Sequence, residues 1–258
     1  SRVTLALEIT ADKLLLAKAS CMGINCMIEP QNPFANKELT TEERIVLRAE
    51  REANIEAEKN GGIPTKHSLI KLRKAYDDAG NDFKAAETLE QQNEIYPNPE
   101  DYNLIGVYYH NSGNKDKAVE FFERAIEHNP NDYWPNFNLG NTLFYKDPQR
   151  ARKHLNKAYE LYPSEPCINI LLGRLDKNEG KTVEAKEKFQ IAYDKYEQRW
   201  KANSLSDTDY DWFASVAEEL GKRDKAYEIR RAKPKIEKTS YYDEENLTQT
   251  ILKSITKI

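Results

Sequence analysis

Three cysteines in 258 residues, Cys21, Cys26 and Cys167, are too few and too scattered for a disulfide framework, and no neighbouring His or Cys completes a four-ligand zinc spacing. Reduced thiols are the expectation. Histidine is equally sparse: His67, His110, His128 and His154 stand far apart and form no short metal-binding spacing. The chain lacks a G-x-x-x-x-G-K-S/T loop, a G-x-G-x-x-G turn, an H-E-x-x-H helix and a G-x-S-x-G elbow. Acidic pairs such as Asp77-Asp78 and Glu218-Glu219 stand where exposed helix charge is the ordinary outcome. Together these absences predict a non-enzymatic chain with no catalytic residue, no metal and no cofactor of its own. No run approaches the roughly 18 consecutive apolar residues of a membrane span. The start also has no basic segment followed by an apolar one. Both predict a cytoplasmic protein without membrane contact. A net charge of −4 and an isoelectric point near 5.8 give no general attraction for phosphate backbones, so nucleic acid is not an expected partner.

What is present is 39% apolar and 32% charged, a balance suited to thin, exposed helices and to a small domain joined to an elongated one. One locally basic stretch runs from Lys222 to Lys238. It is read first as a solvated helix face, with an acidic-partner site as the alternative.

The most informative feature is a repeat. Tyr102, Ile105, Gly106, Tyr109, Gly113, Ala118, Phe122, Ala125 and Pro130 set a spacing. It returns as Asn136, Leu139, Gly140, Leu143, Ala151, Leu155, Ala158 and Pro163, and again as Asn169, Leu172, Gly173, Gly180, Ala185, Phe189 and Ala192. A small residue after an apolar one marks the close approach of two helices, Ala and aromatic positions fill the space between them, and Pro ends the second helix. The turn holding Asp147-Pro148 is one residue shorter than its neighbours. This pattern resembles the tetratricopeptide repeat, a helix-turn-helix unit of about 34 residues, and implies a mostly α fold, an α-solenoid of antiparallel helix pairs. Upstream, Leu69, Leu72, Tyr76, Gly80, Ala85, Leu89 and Pro97 fit the register with Arg73 in the small-residue slot. Downstream, Tyr210, Phe213, Ala214, Ala217, Gly221 and Ala226 open a terminal unit, with Arg230 where a large apolar residue is expected. The expected organisation is a first segment over 1–62, then repeats over 66–240, with units near 66–98, 99–132, 133–165, 166–206 and 207–240. A cap over 241–258 follows, in which Leu247, Ile251, Leu252 and Ile255 share one apolar face. A partner-docking helix is the other reading of that last segment.

The first segment has a different pattern. Strand-like alternation over Val3 to Ile9, a turn at Ala11-Asp12-Lys13, then Leu14 to Ala19 and Asn25 to Ile28 predict a small β meander ended by Pro30 and Pro33. Thr40-x-x-Glu43 is a capping box, so a helix should start there, carry Ile45, Val46, Ala49, Ala53 and Ala57 as a narrow apolar stripe, and end at Asn60-Gly61-Gly62. The run Leu7-Glu8-Ile9-Thr10-Ala11-Asp12-Lys13-Leu14-Leu15 resembles the last strand hairpin of the substrate-binding domain in DnaK-type, seventy-kilodalton heat-shock chaperones. Glu38-Leu39-Thr40-Thr41-Glu42-Glu43, with Arg48-Ala49-Glu50, resembles the start of that family's lid helix. Lys13 departs from the family's turn Gly, and Gly61-Gly62-Ile63-Pro64 ends the helix where the family continues it. The resemblance implies the C-terminal part of a chaperone-like protein, and a first residue of Ser1 rather than Met fits a portion of something longer. ATP would then bind a nucleotide-binding domain of the parent, not this chain.

If tetratricopeptide geometry transfers, positions two, five, nine, twelve and thirteen of each first helix line a concave face that recruits a client or co-chaperone peptide. In the 133–165 unit these are Trp134, Phe137, Asn141, Phe144 and Tyr145. The preceding unit gives Glu100, Asn103, Val107, His110 and Asn111, and the following one Cys167, Ile170, Arg174, Lys177 and Asn178. Aromatic side chains dominate interface energetics, and Asn can hold a peptide backbone through paired hydrogen bonds. The expected peptide-contacting set is therefore Asn103, Val107, Trp134, Phe137, Asn138, Asn141, Phe144, Tyr145, Arg174 and Lys177. The competing reading packs Trp134, Phe137 and Phe144 into the core. Relatives that grip an acidic chain terminus use Lys, Asn and Arg at set positions. Transferred here, those positions hold Asn103, Val107, Asn138, Cys167 and Leu171, and only Asn138 matches, so a carboxylate clamp is disfavoured. A scaffold that self-associates through the edges of the β segment is the alternative function.

Overall fold

The computed structural model describes residues 39–234 in full and the backbone of residues 4–9, 15–21 and 24–31. The chain divides into two units, Ser1–Leu47 and Arg48–Ile258.

In the first unit, β1 (Thr4–Ile9), β2 (Leu15–Cys21) and β3 (Ile24–Gln31) run antiparallel in the order β1-β2-β3. Ile9 lies opposite Leu15, and Cys21 opposite Ile24. The pairing of β2 with β3 shifts register between Leu15 and Ala17, and β3 continues through Pro30 to Gln31. The break expected at Pro30 is thus corrected: a proline beside a register irregularity can stay within a strand that, among the described residues, pairs on one side only. The Ala11-Asp12-Lys13 turn lies outside the described residues.

Helix α1 (Thr41–Lys59) begins as the capping box predicts. The Thr40 N–H donates to Glu43 Oε2 at 2.8 Å and the Glu43 N–H to Thr40 Oγ1 at 3.2 Å. Gly61 and Gly62, at φ 68° and 89°, turn the chain out of it. In the second unit, Ala49 and Ala53 are buried, and Glu52 pairs with Lys71 while the Tyr76 hydroxyl donates to Glu50.

Among the described residues of the second unit, ten further helices form five antiparallel pairs: α2 (Lys66–Asp78) with α3 (Asp82–Ile95), α4 (Tyr102–Asn111) with α5 (Lys115–His128), α6 (Tyr133–Leu143) with α7 (Pro148–Leu161), α8 (Pro166–Asn178) with α9 (Thr182–Lys201), and α10 (Asp207–Glu219) with α11 (Arg223–Ala232). Each second helix also meets the first helix of the next pair, and α4 touches α6 as α8 touches α10. Residues 235–240 of the last unit and the cap at 241–258 lie outside the described residues.

Three glycines set the crossings within the middle pairs. A Cβ on Gly106 would sit 2.6 Å from the Phe122 ring, one on Gly140 2.6 Å from Leu155, and one on Gly173 2.7 Å from Phe189. The three positions are equivalent, and each large partner fills the space a side chain would have taken. The shorter α6–α7 turn keeps this geometry, with Asp147 capping α7 as Asn114 caps α5, accepting from the Arg150 N–H at 3.0 Å. In the first pair Arg73 occupies the glycine slot and donates to the Tyr108 hydroxyl at 2.9 Å, which in turn donates to Asp77 at 2.9 Å. In the last pair Arg230 is exposed and pairs with Glu218, while Ile229, one residue earlier, is fully buried in the expected apolar place.

The basic run from Lys222 is less bare than a solvated face. Lys222 Nζ sits 3.4 Å from the Tyr193 ring centre, Lys225 lies 4.8 Å from that of Trp200, and Lys233 pairs with Asp211 at 2.5 Å. Lys235 and Lys238 lie outside the described residues. No helix among the described residues is long and apolar enough to cross a membrane. No group of three or more His, Cys, Asp or Glu among them could hold a metal ion.

Candidate peptide-binding groove

A cavity of about 500 Å³ opens along the first helices from α4 to α10. Five of the ten expected residues line it: Val107, Trp134, Phe137, Asn138 and Asn141. His110, Asn111 and Cys167, which occupy the same helical positions in their units, join them.

The aromatic floor is built by α6 and α10. Trp134 is 48% exposed and lies edge-on to Phe137 with ring centres 6.2 Å apart, and Phe137 is in turn edge-on to Trp212 at 6.2 Å. Phe137 is only 6% exposed, so it borders the cavity from within the core. Phe144 is buried in that same core, and Tyr145, one residue later, is 85% exposed; neither lines the cavity. The position of Phe144 is concave by register, but it stands just past the end of α6 and packs onto the apolar layer shared with α7 and α8.

A polar ladder crosses from α6 to α4. Asn138 Nδ2 donates to Asn103 Oδ1 at 3.0 Å, so Asn103 supports a lining residue from beside the cavity. The Thr142 hydroxyl donates its single proton to the Asn138 carbonyl at 2.7 Å, and therefore accepts from His110 Nδ1 at 2.8 Å. That fixes the neutral tautomer of His110 and leaves Nε2 as an acceptor on a cavity-lining residue. Burial, with a smaller contribution from the nearby Lys115 charge, holds the His110 ring below the usual imidazole range.

The far end of the cavity is ionic. Arg199, from the end of α9, lies between two carboxylates: Nη2 is 3.1 Å from Glu165 Oε2 and Nη1 is 3.3 Å from Asp209 Oδ1. Asp209 also closes a capping box on α10, accepting from the Ser206 N–H at 3.0 Å while its own N–H donates to Ser206 Oγ at 3.3 Å. Burial, followed by the charge of Glu165, pushes the Cys167 thiol far up, and burial also raises Tyr133 and Tyr196. The thiol is thus held protonated.

Glu165, Arg199, Ser206, Thr208, Asp209 and Trp212 were not among the expected residues. Glu165, Arg199, Ser206 and Asp209 sit at helix ends, Trp212 lies within α10 outside the five periodic positions, and Thr208 holds position two of the 207–240 unit. The signal that could have found them is the length of the fourth unit: α9 has 20 residues where α5 and α7 have 14, and the extra turns carry Arg199 to Glu165 and Asp209. Arg174 and Lys177 are engaged elsewhere. Both bond Glu219 of α10, at 3.0 and 2.9 Å, and Arg174 also donates to Ser215. Lys177 and Glu219 border a second recess of about 340 Å³. The carboxylate-clamp positions Cys167 and Leu171 are buried and offer no cation.

The family model of the tetratricopeptide repeat matches residues 99–132, which hold η-turn Pro99–Asp101, α4 and α5. Among solved structures, a crystal structure of MamA superposes with a TM-score of 0.51 at 20% identity, covering 64% of this chain and 99% of that one. A MamA structure from Desulfovibrio magneticus RS-1 gives a TM-score of 0.48 at 17% identity, covering 64% of this chain and 91% of that one. At such identity the likeness speaks for the fold alone. The chain carries a tetratricopeptide repeat at 99–132 inside a stack of helix pairs whose solenoid fold is similar to that of MamA.

Proposed function

We propose that residues 66–232 are a non-catalytic protein-interaction module whose cavity along α4, α6, α8 and α10 holds an extended protein segment. One observation carries this reading: Trp134 stands half exposed beside Asn138, Asn141 and Asn111 at the mouth of a 500 Å³ cavity. An indole supplies contact area at little conformational cost, and amide side chains pair with the N–H and C=O groups of an extended backbone. An array of unrelated nine-residue peptides probed with the whole chain tests it. Trp134→Ala should abolish most of the binding while circular dichroism stays unchanged. Unaltered binding by that variant counts against the groove. Phe137 is a poor choice for this test, because its truncation would open the core.

The finer form of the reading is recruitment of a client or co-chaperone to a DnaK-type parent that binds ATP upstream. Its support is the sequence likeness of Leu7 to Leu15 and Glu38 to Glu43. Stimulation of a DnaK-type ATPase by peptides that bind this chain in cis would favour it, and a parent sequence without a nucleotide-binding domain would end it. A scaffold that self-associates through the β segment is the second reading. The order β1-β2-β3 favours it, since β1 and β3 each have one strand neighbour among the described residues. Light scattering that gives a concentration-independent monomer would dismiss that reading.

A further inference from the structure

Resting on the groove reading above, we infer that the cavity selects an extended segment bearing a Lys or Arg beside an apolar residue, and disfavours acidic segments. Charge complementarity supplies the reason. The ionic end of the cavity holds two carboxylates, Glu165 and Asp209, and one guanidinium, Arg199, so its formal charge is negative even with every internal pair made. Both carboxylate side chains are nearly enclosed, at 13% and 12% exposure, where solvent screens them least. Arg199 is already shared between two partners and offers little to an incoming anion.

Helix N-termini attract anions, and those bordering the cavity carry acidic residues instead. The capping box of α10 places Asp209 in its first turn, the Trp134 N–H of α6 donates to Asp132 at 3.0 Å, and α8, which has no side-chain cap bond, starts with Glu165 at its N-cap followed by Pro166, which has no N–H. The His110 ring adds no positive charge to this lining, and its Nε2 is held as an acceptor by the Thr142 bond. Trp134 and Trp212 then suit both halves of the proposed ligand: indole faces take apolar side chains, and they attract Lys and Arg through their quadrupoles.

The test uses the whole chain and an array of blocked nine-residue peptides in triplicate sets, identical except for Arg, Gln or Glu at two positions flanking Leu and Phe. Signal should rank Arg above Gln above Glu, with about a tenfold or greater span from Arg to Glu at low salt. The span should narrow at high salt. Glu165→Gln keeps an acceptor for Arg199 and should shrink the Arg-to-Glu span several-fold. Thr208→Lys, at an exposed rim position next to Asp209 where the hydroxyl contacts Ser206 Oγ at 3.2 Å, should do the same by adding a cation while leaving both carboxylates and Arg199 in the sequence. Equal binding of the three sets, lost in Trp134→Ala, overturns the charge preference and leaves the groove standing. Absence of binding by all three overturns both, and a preference for Glu, or a span untouched in both variants, overturns the inference made here.

Discussion

In α4–α5, α6–α7 and α8–α9 a glycine lets Phe122, Leu155 or Phe189 rest directly on the backbone of the first helix, whereas α2–α3 has Arg73 in that place. The first pair replaces a close crossing with side-chain bonding: Arg73 and Asp77 meet on the Tyr108 hydroxyl and tie α2 to α4. The same repeat is thus held by contact of atoms in the middle of the stack and by polar bonds between units at its start. Packing of the first kind tolerates no added volume. The second kind tolerates changes of size but not of hydrogen bonding.

Breaking a glycine crossing should have the largest effect. In Gly173→Val the new side chain would meet Phe189 at 2.7 Å and the Ala185 carbonyl at 3.2 Å, and neither the ring nor the backbone can give way freely. Urea unfolding should show a loss of about 3 kcal/mol, the upper range for overpacking. Arg73→Gly should cost about 2 kcal/mol, about 1 for glycine inside a helix and about 1 for the lost bond to the Tyr108 hydroxyl. Equal losses at the two sites would erase the distinction between the pairs.

The next effect belongs to Asp176, a 4% exposed side chain of α8 that receives Arg152 of α7 at 2.8 Å and Lys188 of α9 at 2.6 Å. Burial alone would raise its carboxyl, but the hydrogen bonds from Lys188 and Arg152 outweigh it and hold the group below the usual carboxylate range. A depressed carboxyl contributes stability above its unfolded pKa and loses it as pH falls through the folded one. Wild-type stability should therefore decline below about pH 4, and Asp176→Asn should flatten that decline. Asp176→Ala should cost about 2 kcal/mol at pH 7, because two cations lose their partner. An unchanged acid limb in Asp176→Asn would assign the acid sensitivity to other carboxylates.

Tyr109 sharpens the comparison from the second unit. Burial, then the bond to Glu90, pushes its phenol up to about 12 against the bond from Lys117. A raised folded pKa supplies stability below the unfolded value near 10 and loses it as pH climbs towards 12. Tyr109→Phe should cost about 1 kcal/mol at pH 7 and reduce the alkaline loss, as seen in unfolding followed at pH 7 and pH 11. The smallest change is expected of Tyr145→Ala, at a side chain 85% exposed, where stability should move by less than about 0.5 kcal/mol. A larger shift there would mean that the α6–α7 turn, which has no glycine, depends on its side chains for shape.

These crossings were legible in the sequence because Gly106, Gly140 and Gly173 recur with a bulky residue 15 or 16 positions later, and a local period carries all the needed information. The apolar positions of α1 and its capping box were legible for the same reason. Half of the candidate site was not. Arg199 reaches Glu165 across 34 positions and Asp209 across 10, and no repeat predicts that two helix starts and one helix end will converge. Burial was also beyond the pattern: Phe144 and Trp134 share the concave register, yet one belongs to the core and the other to the opening. Arg174 and Lys177 look like ligand-facing cations until Glu219, more than forty positions away, is seen to hold both.

The placement of the three tryptophans has a practical consequence. Trp134 and Trp212 border the cavity, while Trp200 packs between Tyr210 and Phe213 beneath Lys225. Intrinsic fluorescence therefore contains two independent signals, one from occupancy and one from the integrity of the last helix pairs. Variants that retain a single indole would separate them without any added dye.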